Sequence, residues 1–110
     1  MTGAASGIGK AIATRLAAEG ACVVIADLDL AKAQEAAAEL GSTDVAVGVG
    51  MDVSKEDEVQ AGVDAALLAF GGLDLVVNNA GLSIARSLTA TTEAEWDLLH
   101  DVLSKGSFLV

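Results

Sequence analysis

Thr2-Gly3-Ala4-Ala5-Ser6-Gly7-Ile8-Gly9 opens the chain with three glycines in the pattern G-x-x-x-G-x-G. It runs directly into an amphipathic stretch in which Ile8, Ile12 and Leu16 recur at helical spacing. A loop of this kind suits a diphosphate. Backbone N–H donors gather closer than a Cβ would allow, and a helix N-terminus adds partial positive charge. Gly3 would then permit the sharp turn, Gly7 would let the backbone approach the phosphates, and Gly9 would let the new helix sit close to the sheet. The spacing departs from G-x-G-x-x-G, and three glycines also suit a plain flexible turn. The residues that follow decide between the two.

Helical and strand patterns alternate after the loop. Ile8 to Glu19 reads as a helix stopped by Gly20, and Ala21 to Ala26 is a continuous apolar run ending at Asp27. Leu30 to Leu40 is an Ala-rich helix ended by Gly41, and Val45 to Met51 is strand-like despite Gly48 and Gly50. Ser54, with Asp57 three residues on, predicts the cap of a helix whose apolar face is Val59, Val63, Leu67 and Phe70. Gly71-Gly72 stops it, and Leu73 to Val77 reads as a further buried strand before Asn78-Asn79-Ala80-Gly81. Thr92 and Glu95 form a capping box for a last helix that carries Trp96, Leu99, Val102 and Leu103 inward. Strands joined by helical crossovers imply a parallel sheet covered on both faces.

In such a sheet the binding crevice lies beyond the carboxyl ends of the strands. Asp27, Asp52 and Asn78-Asn79 each follow an apolar run, so the pattern brings them to one rim with the glycine loop. Asp27 stands about 20 residues past that loop, where a dinucleotide fold places the acid that takes both adenosine ribose hydroxyls. A carboxylate there accepts two O–H donors from NAD and repels the 2′-phosphate of NADP at contact distance. Neither Ser6 nor Leu28 is basic, so nothing rescues a phosphate. NAD is therefore expected over NADP.

Composition excludes other classes. The 110 residues are 53% hydrophobic with mean hydropathy +0.54, which bounds them to one globular unit, residues 1–110, rather than a disordered tail. A net charge of −10 argues against nucleic acid, whose phosphates need clustered Lys and Arg. No apolar run matches a membrane span and Met1 leads no signal-like segment, so no membrane partner is expected and the cytoplasm is the default. The single Cys22 lies among strand formers, where core packing is its expected part, and no metal ligand set is expected. His100 reads as a surface or helix-packing residue, Trp96 as core, and Ser83 as a loop residue that could border a substrate.

Taken in order, Thr2-Gly3-x-x-x-Gly7-x-Gly9, Asp27, Asp52-Val53 and Asn78-Asn79-Ala80-Gly81 resemble the N-terminal half of the short-chain dehydrogenase/reductase family across essentially the whole chain. The resemblance implies a Rossmann-type, doubly wound α/β sheet whose first strand and C-terminal half lie outside these residues. It implies a cofactor site of Gly3, Ser6, Gly7, Ile8, Gly9, Asp27, Leu28, Asp52, Val53, Asn78, Asn79, Ala80 and Gly81. The Asp52 side chain would accept the adenine amine and the Val53 N–H would reach a ring nitrogen. The Asn-Asn-Ala-Gly segment would steady the central strand and line the nucleoside pocket. Hydride transfer between NAD and a small alcohol or carbonyl substrate is the implied activity, with homo-oligomers at full length. The stretch from Thr91 to Gly106 looks more specifically like the dehydrogenase part of bifunctional rhamnulose-1-phosphate aldolase/dehydrogenase proteins, which implies a substrate such as lactaldehyde.

Two departures matter. The family pattern near Val-Asn-Leu-x-Gly is here Val102-Leu103-Ser104-Lys105-Gly106, so Leu103 replaces an Asn that helps seat a water of the proton relay. Ser104 is turned by about 100° from that position and is a poor replacement. The family's catalytic Tyr-x-x-x-Lys has no counterpart, because the chain holds no tyrosine. The 110 residues alone are thus expected to be inactive and, lacking the strand between those at Val23 and Val76, not to be a stable monomer. A non-catalytic dinucleotide-sensing module and a truncated gene product without activity are the alternatives.

Overall fold

A computed structural model describes all 110 residues, Met1–Val110. The glycine loop leads into α1 (Gly7–Ala18), followed by β1 (Val23–Asp27), α2 (Leu30–Leu40), β2 (Ala46–Gly50) and α3 (Glu56–Phe70). A short 3-10 turn at Leu88–Ala90 precedes α4 (Glu93–His100), a π-helical turn at Asp101–Lys105 and α5 (Gly106–Leu109).

β1 and β2 pair in parallel, Val23 opposite Ala46 and Asp27 opposite Gly50. Alternation along β1 divides the core. Val23 and Ile25 face α1 and α2 with Ala13, Ala33, Ala36, Ala37 and Ala46. Ala26 turns to the other side, where Met51, Val53 and Val59 of the α3 side pack. The sheet is thus covered on both faces, as the alternating pattern predicts. Close helix–sheet approach explains a glycine in a strand: a Cβ on Gly48 would lie 2.5 Å from the Ala33 carbonyl carbon and oxygen of α2.

The same demand for small residues corrects the reading of α1. Its buried face is Gly9 and Ala13. Ile8 is 76% exposed and Ile12 is 37% exposed, and only Leu16 of the three is packed against the core. Short side chains bring the helix axis near the sheet and turn the branched ones outward.

Leu73–Val77 does not form the expected strand. The sheet has two strands, and Leu75 is 61% exposed. A strand needs a ladder partner, and between β1 and this stretch stand only Met1 and Thr2. Thr2 bridges Ala26 on one side and donates its N–H to Val77 O at 3.1 Å on the other. Behind them is an apolar cavity of about 370 Å³, lined in part by Met1, Val24, Phe70, Leu73 and Leu75. The Met1 ammonium donates to Val24 O at 3.0 Å, and burial pushes its pKa below the ordinary value.

Other local expectations also change. Cys22 is exposed rather than in the core, since it precedes β1, and its thiol donates to Asp44 O at 3.4 Å. Ser54 does not cap α3; its hydroxyl is taken by Asp52, and the N-cap is Lys55. The Thr92–Glu95 capping box forms as expected. Trp96 of α4 and Leu103 of the π-helical turn are 57% and 45% exposed instead of inward, because no other layer packs over that face. Trp96 stacks on His100 with ring centroids 4.3 Å apart.

Only 18 of 110 residues are buried. With so little core to offset chain entropy, the 110 residues made alone are expected to show a broad, non-cooperative thermal melt. A sharp sigmoidal transition in dilute buffer is the contrary result.

Candidate functional site

At the carboxyl ends of β1 and β2, beside the start of α1, lies a cleft of about 420 Å³. Gly3, Ser6, Gly7, Ile8, Gly9, Asp27, Leu28, Asp52, Val53, Asn79, Ala80 and Gly81 all line it. Of the residues expected from sequence, Asn78 alone does not. It is exposed, and its amide donates to Ser107 O at 3.4 Å on α5. Sequence reasoning missed Met51, Leu82 and Val102, which also line the cleft. They are apolar residues whose pattern does not differ from that of core residues.

The floor of the cleft is a latch between the glycine loop and the Asn-Asn-Ala-Gly segment. Asn79 Nδ2 donates to Thr2 O at 3.0 Å and to Gly3 O at 2.9 Å. The buried Thr2 hydroxyl accepts from Asn79 N at 3.2 Å and Ala80 N at 3.0 Å. Backbone polar groups that a sheet ladder would otherwise satisfy are thereby paired. Thr2, quoted with the loop motif but not expected among the site residues, is the important residue here. A lone Thr before a glycine carries no signal of its own.

Each glycine has a distinct part. Gly3 has φ +61°, and a Cβ there would meet Ala80 Cα at 2.9 Å. Gly9 lies closer still, its hypothetical Cβ at 2.4 Å from Gly3 O and 2.5 Å from Asn79 Nδ2. Gly9 therefore closes the helix start onto the loop itself. Gly7 has φ +56° and nothing within 4 Å of such a Cβ, so its surface opens on the cleft.

The α1 N-terminus is suited to an anion. Its N-cap, Ser6, makes no side-chain cap bond, and the first helical hydrogen bond runs from Lys10 N to Ser6 O. The amides of Gly7, Ile8 and Gly9 are thus left without intrahelical partners at the positive end of the helix. Asp27 links this loop to β1: its Oδ2 accepts from Ala5 N at 3.1 Å and its Oδ1 from Asp29 N at 3.3 Å.

Asp52 sits on the second wall. Its Oδ1 accepts the Ser54 hydroxyl at 2.7 Å and the Ser54 N–H at 3.0 Å. Those bonds, the hydroxyl's first, hold the Asp52 carboxyl below its ordinary pKa against the opposing effect of burial. The last helix reaches the cleft through Val102, while Leu103 packs near Gly81 and Ser104 is exposed. Neither Leu103 nor Ser104 lines the cleft.

A sequence model described as short chain dehydrogenase matches residues 1–110. The chain is 46% identical over 113 residues to the uncharacterized oxidoreductase YuxG of Bacillus subtilis, a match covering all of this chain and 16% of that protein. It is 42% identical over 108 residues to the uncharacterized oxidoreductase Mb1385 of Mycobacterium bovis, covering 98% of this chain and 44% of that one. Among solved structures, a 3-ketoacyl-(acyl-carrier-protein) reductase from Brucella melitensis complexed with NADH superposes with a TM-score of 0.93 at 43% identity. That superposition covers 98% of this chain and 44% of the reductase. A short-chain dehydrogenase/reductase from the same organism, described as SDR:Glucose/ribitol dehydrogenase, gives 0.94 at 35% identity. The chain spans less than half the length of these relatives.

Proposed function

Because this chain belongs to the short-chain dehydrogenase family, we propose that its cleft is the cofactor half of an oxidoreductase that moves hydride between NAD and a small alcohol or carbonyl substrate. The observation that carries this reading is the convergence of the glycine loop, Asp27 and Asp52-Val53 on one cleft of about 420 Å³. The Brucella melitensis reductase that resembles the chain was solved with NADH, which supports a nicotinamide dinucleotide here.

The residues fit such a group. The free amides of Gly7 to Gly9 and the open face of Gly7 would hold the diphosphate. Asp27 would accept the ribose hydroxyls, and Asp52 and Val53 the adenine. Asn79, Ala80 and Gly81 would close the nucleoside side, while Asn78 bonds to α5 rather than the pocket. The bound dinucleotide would supply the hydride chemistry, and these residues bind and orient it. No tyrosine is present, so a proton donor of the family's usual kind must come from outside these 110 residues.

The match to YuxG covers only 16% of that protein, a length that leaves room for a further domain. The resemblance of the stretch from Thr91 to Gly106 is what points to kinship with bifunctional rhamnulose-1-phosphate aldolase/dehydrogenase proteins and a lactaldehyde-like substrate. The exposed Trp96, Leu98, Leu103 and Phe108 support self-association through the last helices.

Fluorescence titration of the whole protein carrying these residues tests the reading. NADH is expected to bind at least about tenfold more tightly than NADPH, because the Asp27 carboxylate would face the 2′-phosphate. Asp27→Asn keeps an acceptor for Ala5 N–H while removing the charge, and is expected to bring the two affinities within about threefold. Equal affinities in the unaltered protein refute the NAD preference. Failure to bind either dinucleotide refutes the function.

A further inference from the structure

Asp52 has two oxygens in unequal situations. Oδ1 is occupied by the Ser54 hydroxyl and N–H, whereas Oδ2 accepts no hydrogen bond from the chain. Oδ2 is ion-paired with the Lys55 ammonium at 3.7 Å, a separation longer than a hydrogen bond. That ammonium is engaged elsewhere, donating to Glu58 Oε1 at 3.0 Å. The other oxygen of Glu58 accepts the Asp52 backbone N–H at 2.7 Å. Glu58 lies in the first turn of α3, so the helix fixes where its carboxylate reaches.

We propose that Glu58 is a positioning residue for adenine recognition: it anchors the Asp52 backbone and keeps the Lys55 ion pair with Asp52 Oδ2 too long for a hydrogen bond, so that Oδ2 can accept the adenine exocyclic amine. The inference rests on the reading of Asp52 as the adenine acceptor and assigns a part to residues that reading leaves out. Without the Glu58 charge, the existing Lys55 pair with Oδ2 shortens to a hydrogen bond, since the ammonium then has no competing carboxylate. The acceptor is then occupied by a cation. The pull of the Asp52 N–H and of Lys55 on Glu58 also keeps its carboxyl below the ordinary pKa, so the charge is present at neutral pH.

The test compares NADH with reduced nicotinamide hypoxanthine dinucleotide, which has a carbonyl where adenine has the amine. Both are titrated by fluorescence into the whole protein carrying these residues. The unaltered protein is expected to prefer NADH by about tenfold, the value of one charge-assisted hydrogen bond. Glu58→Gln is expected to cut that preference to about twofold by weakening NADH alone. Combining Glu58→Gln with Lys55→Met is expected to restore most of it, since no ammonium remains to occupy Oδ2.

Asp52→Ala separates the two readings. If Asp52→Ala abolishes the preference and Glu58→Gln leaves it at the unaltered value, the part given to Glu58 is wrong and that of Asp52 stands. If Asp52→Ala keeps the full preference, Asp52 is not the acceptor and both fall. Equal weakening of both ligands by Glu58→Gln makes Glu58 merely structural and overturns the inference, as does failure of the Lys55→Met rescue.

Discussion

Gly9→Ala is expected to destabilise the protein by about 3 kcal/mol or more and to remove measurable dinucleotide binding. Helix propensity alone points the other way, because alanine in a helix is favoured over glycine by about 1 kcal/mol. The contact geometry outweighs it. The new methyl would lie 2.4 Å from Gly3 O and 2.5 Å from Asn79 Nδ2, and 3.0 Å from Ala4 Cα. Two of these three neighbours are backbone atoms, and the third is an amide held by two hydrogen bonds. Relief requires α1 to lift or Asn79 to leave. Lifting α1 costs core packing at Ala13, and expelling Asn79 leaves the carbonyls of Thr2 and Gly3 without a donor, at about 1–3 kcal/mol each. Either movement shifts the amides of Gly7 and Ile8 that face the cleft. Urea denaturation and NADH titration of the whole protein carrying these residues check both halves. A variant as stable as its parent that still binds NADH contradicts this account of the loop.

Asn79→Ala carries the second large effect, expected to be about 2–4 kcal/mol of stability with a loss of NADH affinity of at least about tenfold. One side-chain amide serves two carbonyls in adjacent residues, so its removal unpairs both at once. The Thr2 hydroxyl still accepts from the backbone of residues 79 and 80, which limits the damage to the amide's own share. Asn78→Ala is the comparison within the same pair. Its amide makes one long bond of 3.4 Å to Ser107 O at an exposed position, so its loss is expected to stay within about 0.5 kcal/mol. Paired urea melts of the two variants check the difference. Equal destabilisation would mean that the latch at Thr2 and Gly3 has no special weight.

The two asparagines also mark how far sequence could be read. Asn78 and Asn79 are indistinguishable as letters, and both were expected at the nucleotide. Asn79 alone lines the cleft. Successive side chains in an extended segment point opposite ways, and which one faces inward depends on what the segment packs against. The same limit explains Trp96 and Leu103, whose helical spacing marks an apolar face but does not say whether a layer covers it. Leu73–Val77 is the corresponding case beside the sheet, a largely apolar run that meets only the single Thr2 N–H bond at Val77 O and no paired strand. Cys22 was misread by one position, sitting just outside the first residue of β1.

What the sequence determined by itself is the α/β alternation, the positions of α1, α2, β1, β2 and α3 to within a few residues, and most of the residues that meet at the cleft, Asn78 excepted. Those follow from local chemistry: periodicity, glycine stops, and polar residues closing apolar runs. Only the tertiary structure decided that Ala13 joins Gly9 on the buried face of α1 while Ile8 and Ile12 turn outward, that Thr2 and Asn79 form the latch, and that Glu58 reaches Asp52. Each of these depends on a distance between segments far apart in the chain or on the rotation of a helix about its own axis. Such quantities are set by packing against neighbours, and no single stretch of residues encodes them.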